Sequence, residues 1–283
     1  MYYLPIIGAL ALASVTILEK VILKKRGVES KTFLSAAFLS SVIVMLPLIY
    51  FFWQVSPEAF SLTNIFIFLA IIVISLFANI CLFYALKGEK VSNIEPALIM
   101  EPLFTVLLAF IFSFFTIGLY DRNPQILIPA LIAGAVLILS HIKKHHIKMN
   151  KYFSIAILGS FLFGLELVIT RFILEFYTPI SFYFVRCSTI FLLSWIIFRP
   201  KISKLKTKIK WEIFLAGFLW VAFRLIIYYG YLTLGVISTT LVVMLGPVFV
   251  YLFARIFLKE KLKWRNILAA IIIVCCVLYA VLF

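Results

Sequence analysis

Residues 4–23 read LPIIGALALASVTILEKVIL, and the run stops at Lys24-Lys25-Arg26. As a helix it would be about 30 Å long, the thickness of a bilayer's hydrocarbon core. It is too long for a removable leader and ends on basic rather than small residues, so it reads as a first membrane span.

Runs of this kind recur to the end of the chain. The expected spans are 4–23, 32–53, 64–86, 93–115, 124–142, 152–174, 179–198, 211–233, 236–258 and 265–283. The joint between the eighth and ninth is marked only by Thr233-Leu234-Gly235, but the combined run is too long for one helix. Of the 283 residues, 65% are hydrophobic and only 13% charged, too few charges to cover a soluble domain. The runs are too continuously apolar for the alternation of a membrane barrel, so the expected class is all-α. The natural partner of such a surface is the lipid bilayer, and the expected location is the plasma membrane, crossed many times.

The formal net charge is +15, and its placement argues against a nucleic-acid partner. The basic residues cluster in odd-numbered loops: Lys24, Lys25, Arg26 and Lys31; Lys87 and Lys90; Lys143, Lys144, Lys148 and Lys151; Arg199 through Lys210; and Lys259 through Arg265. Even loops hold little beyond Arg122. The positive-inside rule then puts the odd loops in the cytoplasm and both termini outside.

The second half repeats the first. Set over Tyr229–Phe257 without gaps, Tyr84–Phe112 matches at Tyr84/Tyr229, Val91/Val236, Pro102/Pro247, Phe104/Phe249, Leu107/Leu252, Ala109/Ala254, Ile111/Ile256 and Phe112/Phe257. Each half, 1–148 and 149–283, would hold five spans. An odd number forces the halves into opposite orientations, the inverted-repeat plan of secondary transporters, whose substrate site lies between the halves near the midplane.

The run Tyr228-Tyr229-Gly230-Tyr231-Leu232-Thr233-Leu234-Gly235, then Leu245-Gly246-Pro247-Val248-Phe249 and Leu258-Lys259-Glu260-Lys261-Leu262, resembles ten-helix EamA-type members of the drug/metabolite transporter superfamily. Glu101-Pro102-Leu103-Phe104 echoes it in the first half, and Gly159-Ser160-Phe161-Leu162-Phe163-Gly164 resembles that family's small-residue helix opening a half. The first half departs from the pattern, having Ile117-Gly118-Leu119-Tyr120 where an acidic turn is usual. The resemblance implies a transporter of amino acids or other metabolites. It also implies cytoplasmic termini, against the loop charges.

A charge within a span is costly and is by default a functional candidate. Six fall here: Glu19, Glu95, Glu101, Glu166, Arg186 and Arg224. Glu166 could accept a proton, bind a substrate amine, or pair with Arg171 or Arg186. Glu95 and Glu101 each precede a proline, Pro96 and Pro102, and a proline leaves backbone carbonyls free for a polar site. Glu95 could equally serve only the helix dipole at its start. Pro102 and Pro247 are the expected kinks. Arg224 and Arg186 stay charged, so each needs a carboxylate, Glu101 or Glu166, or an anionic substrate group. Tyr228 lies one turn from Arg224 and could share its face.

His141 and His145 have the spacing of a helical metal pair, with His146 beside them, but no third ligand is evident and no metal is expected. Cys81, Cys187, Cys275 and Cys276 lack metal or disulfide spacing. No phosphate-cradling loop, nucleophile elbow or zinc-protease signature is present, so neither an enzyme nor a cofactor is expected. The expected function is secondary active transport of a small metabolite, an exporter of amino acids or similar solutes. It would work by alternating access about a midplane cavity lined by the first, fourth, sixth and ninth spans and their neighbours, with the monomer as the working unit. A lipid-linked sugar flippase and a membrane-embedded transferase are the alternatives.

Overall fold

In hydrocarbon a backbone N–H or C=O has no water to bond, so long apolar runs close their hydrogen bonds within helices. A computed structural model describes residues 3–23, 25, 27–88, 97, 100–116, 118–120, 122–141, 151–257 and 264–282. Its helices are α1 (Tyr3–Leu23), α2 (Ser30–Phe52), α3 (Leu62–Gly88), α4 (Met100–Ser113), α5 (Pro124–His141), α6 (Lys151–Leu174), α7 (Pro179–Phe198), α8 (Thr207–Thr233), α9 (Val236–Val243), α10 (Gly246–Phe257) and α11 (Trp264–Leu282). Among the described residues six of these are long and apolar enough to cross a membrane, and four shorter apolar segments accompany them. The chain is an all-α polytopic membrane protein with two repeats.

Two expected boundaries shift. The eighth span begins at Thr207, not 211, because lysines at a helix end are tolerated beside the membrane, and the added turn carries Lys208 and Lys210, the latter donating to the Ser203 carbonyl at 3.3 Å. The ninth span is not one helix: it breaks at Met244-Leu245 into α9 and α10. Pro247, the second residue of α10, has no N–H to give the Val243 carbonyl, so the break falls where the proline requires it. Between α8 and α9 the chain turns at Gly235, whose φ of 85° is a conformation that side chains disfavour.

The packing carries the duplication. α1 lies along α8 and α3 along α6; α2 pairs with α7 and α5 with α11; α4 packs on α6 and α1 on α10. Exchanging each span for its counterpart five spans later turns the first pair into the second and the fifth into the sixth. The α2–α7 and α5–α11 pairs map onto themselves. This is the contact pattern of two repeats related by a two-fold exchange, though α2 also packs on α8 without an equal counterpart between α3 and α7.

The helix ends next to the even loops are sealed by aromatic side chains. Phe182 meets Phe68, Tyr177 and Tyr228 edge-on, with centroids 6.0, 5.6 and 5.3 Å away. Phe112, Tyr120 and Phe172 form a second triangle. Toward the odd loops the interior holds a cavity instead.

Candidate functional site

The cavity has a volume of about 90 Å³ and is lined by Glu19, Asn79, Glu101, Tyr183, Arg186, Trp220 and Arg224, with apolar walls from α2, α3 and Phe163. Glu19 is about one turn from the end of α1, Leu34 about one turn from the start of α2, and Phe83 under two turns from the end of α3. All three ends adjoin odd loops. The lining comes from spans one, two, three, four, six, seven and eight. The expected contribution of the ninth span is therefore corrected: its α9 half is wholly buried between other helices.

Behind the cavity lies a buried ion-pair cluster. Glu166 is 0% exposed and Arg186 2%. Arg186 Nε is 3.0 Å from Glu166 Oε1, and its Nη2 donates to Ser75 Oγ at 2.6 Å. Arg224 Nη1 is 3.9 Å from Glu166 Oε2, too far for a hydrogen bond, and among the described residues Oε2 has no hydrogen-bond partner. Among the described residues the two arginines differ: Arg186 has a close ion pair to Glu166 and a hydrogen bond to Ser75, whereas Arg224 makes no side-chain hydrogen bond and rests over the rings of Trp220 and Phe223.

Glu166 does not line the cavity; it organises the arginines that do. Of the three arginines the sequence allowed it, Arg186 is the close partner and Arg224 a more distant one. Arg171 instead lies 3.8 Å from Glu175, one turn on.

Glu19 and Glu101 are held differently. Trp220 Nε1 donates to Glu19 Oε1 at 2.7 Å. Among the described residues neither carboxylate has a cation within 4 Å, yet both line the cavity. Tyr228 is fully buried against Phe182 and Tyr183, its hydroxyl without a partner among the described residues, and does not line it. Glu95, its neighbour Pro96, and His145 and His146 lie outside the described residues, as does the side chain of His141. Pro102 stands in the first turn of α4, one residue past Glu101.

Sequence reasoning passed over Ser75, Asn79 and Trp220. Asn79 donates its side-chain amide to the Ser75 carbonyl one turn back at 2.8 Å. A polar pair at i, i+4 inside the otherwise apolar third span was the available signal. Trp220 had none, since its partner Glu19 is distant in sequence.

The arrangement can hold a small solute by opposite charges at once. A guanidinium with free donors presents a fork for a carboxylate, and two unpaired carboxylates present acceptors for an ammonium group or a proton.

No curated protein matches the chain. A crystal structure of a protein with 15% sequence identity superposes with a TM-score of 0.72, covering 99% of this chain and 96% of that one, which shows a shared fold. The model of the EamA-like transporter family matches twice, over residues 1–140 and 150–282. With both halves matched and a charged cavity enclosed between them, the chain belongs to the EamA-like transporter family, membrane transporters of the drug/metabolite superfamily.

Proposed function

We propose that the chain is a secondary active exporter of small zwitterionic metabolites such as amino acids, working by alternating access from the cavity between its halves. Arg224 takes the substrate carboxylate, and Glu101 and Glu19 take its ammonium group or a coupling proton. The supporting observation is the convergence, in one membrane-embedded cavity, of a guanidinium with uncommitted donors and two carboxylates without a cation partner. Protonation removes the cost of a charge in that setting, so either carboxylate can alternate between proton and amine. Glu166 is less suited to that cycle, being committed to Arg186.

Export fits the cavity's position beside the odd loops, whose lysines and arginines favour the cytoplasm. The plasma membrane is the matching location.

Uptake of radiolabelled amino acids into proteoliposomes, against Glu101→Gln, Glu19→Gln and Arg224→Gln variants, tests the reading. The wild-type chain should accumulate a zwitterionic amino acid when a pH gradient is imposed. Arg224→Gln should lose binding, and at least one carboxylate variant should exchange solute yet lose gradient-driven accumulation. Transport indifferent to all three changes overturns it, and movement of lipid-linked sugars but no amino acid favours a flippase.

A further inference from the structure

On the side away from the cavity, the second and sixth loops are joined by backbone. Val55 and Tyr177 form an antiparallel bridge. The Ser56 N–H donates to the Phe176 carbonyl at 2.8 Å and the Thr178 N–H to the Gln54 carbonyl at 3.1 Å. Side chains extend the seam: the Gln54 N–H donates to Ser181 Oγ at 3.0 Å, and Thr178 Oγ1 donates to the Phe52 carbonyl at 2.9 Å. One strand of the seam comes from the first half of the chain and the other from the second.

The seam is continuous with the aromatic seal below it. Thr178 caps α7, accepting from the Ser181 N–H at 3.3 Å, and Ser181 receives the Gln54 N–H. The next residue, Phe182, packs on Phe68, Tyr177 and Tyr228. A displacement of the first turn of α7 therefore breaks the seam and withdraws the seal together. Apart from Ser181, which is fully buried, the seam residues are half-buried or exposed, so their hydrogen bonds can exchange for water at small net cost, unlike the buried cluster around Glu166.

We propose that residues 52–56 and 176–182 form the gate on the even-loop side, closed in this structure and opened when α7's first turn moves away from the second loop. The proposal rests on the alternating-access reading, but its test needs no transported solute. Paired residues in an antiparallel bridge have Cα atoms within disulfide range, so Val55→Cys with Tyr177→Cys can lock the gate. Ser41 lines the cavity, and Ser41→Cys offers a thiol there.

A membrane-impermeant maleimide is applied from either side to oriented vesicles carrying Ser41→Cys. Each chain is compared, in the same redox state, with the same chain lacking Ser41→Cys, which gives the background from Cys81, Cys187, Cys275, Cys276 and any gate cysteine left free. Labelling of Ser41→Cys from the even-loop side is expected while the gate is free. With the Val55→Cys/Tyr177→Cys disulfide formed, that labelling should fall to background, labelling from the odd-loop side should persist, and reduction should restore the first. Even-side labelling that survives a complete cross-link overturns the proposal, as does its absence in the uncross-linked chain. The single Val55→Cys and Tyr177→Cys variants must label like the uncross-linked chain; a loss in either would place the effect in the substitution rather than the lock and overturn it too.

Discussion

Arg186 Nε sits 3.0 Å from Glu166 Oε1 with both side chains withdrawn from solvent, and this pair ties α7 to α6 behind the cavity. Two desolvated ions attract strongly only while both are present. Replacing Arg186 by Met leaves Glu166 with Arg224 at 3.9 Å as its nearest cation. The expected loss is about 3–5 kcal/mol, read as a fall in the melting temperature of detergent-purified protein. Glu166→Gln should cost a similar amount by stranding Arg186. The double variant Glu166→Gln/Arg186→Met should recover most of either loss. Additive losses would show that the pair does not act as a unit.

The ion pair between Lys25 and Glu212 joins the first loop to α8 with side chains 30% and 20% exposed. Water screens it, and long side chains must be ordered to make it. Lys25→Ala should therefore change stability by no more than about 1 kcal/mol, and less in high salt. A loss as large as that at Arg186, measured in the same melting assay, would show this contact to be desolvated in the bilayer.

The spans and the duplication were legible because both are written in composition: apolar length, alternating loop charge and a proline shared by the halves. The costly residues were legible for the same reason, since Glu19, Glu101, Glu166, Arg186 and Arg224 interrupt apolar runs. What the sequence left open was who meets whom. Glu166 could reach Arg171 locally or Arg186 across a helix pair, and only the packing of α6 on its neighbours decides. The Arg171–Glu175 pair was visible at i, i+4, and attention to it would have freed Arg171 from consideration. Tyr228 follows Arg224 by one turn, yet sits against Phe182 and Tyr183, because the even-loop side is filled with rings rather than water. The break in the ninth span was foreshadowed by Pro247, but its opening to two helices depends on where the preceding turn could stop.

Gly164 sets the distance between α4 and α6. A Cβ built there would lie 3.0 Å from Phe104 Cβ and 3.0 Å from the Thr105 backbone nitrogen. Backbone cannot swing aside as a flexible side chain can, so Gly164→Ala must push α4 outward. A cost of about 1–3 kcal/mol is expected from such overpacking. Because α4 carries Glu101 into the cavity, substrate binding should weaken as well. A melting temperature unchanged from wild type would mean that the two helices are less closely applied than their glycine implies.

Arg224 is the residue at which charge and shape can be separated. Its guanidinium lies over the Trp220 and Phe223 rings, 5.7 and 5.9 Å from their centroids, and is only loosely engaged by Glu166. Lysine at this position keeps the positive charge near Glu166, so the buried cluster retains its balance and the fold should melt close to wild type. It loses the planar fork that can take both oxygens of a carboxylate. Hydrogen bonds to charged groups contribute about 1.5–3 kcal/mol each, so Arg224→Lys should weaken binding of a carboxylate-bearing solute about tenfold to a hundredfold. Analogues without the carboxylate, such as amino-acid amides, should be affected much less, because they make no such pair. Ligand-dependent shifts in melting temperature, compared for acid and amide, read both effects. Equal losses for the two ligands would place the carboxylate elsewhere in the cavity and leave Arg224 as a partner of Glu166 alone.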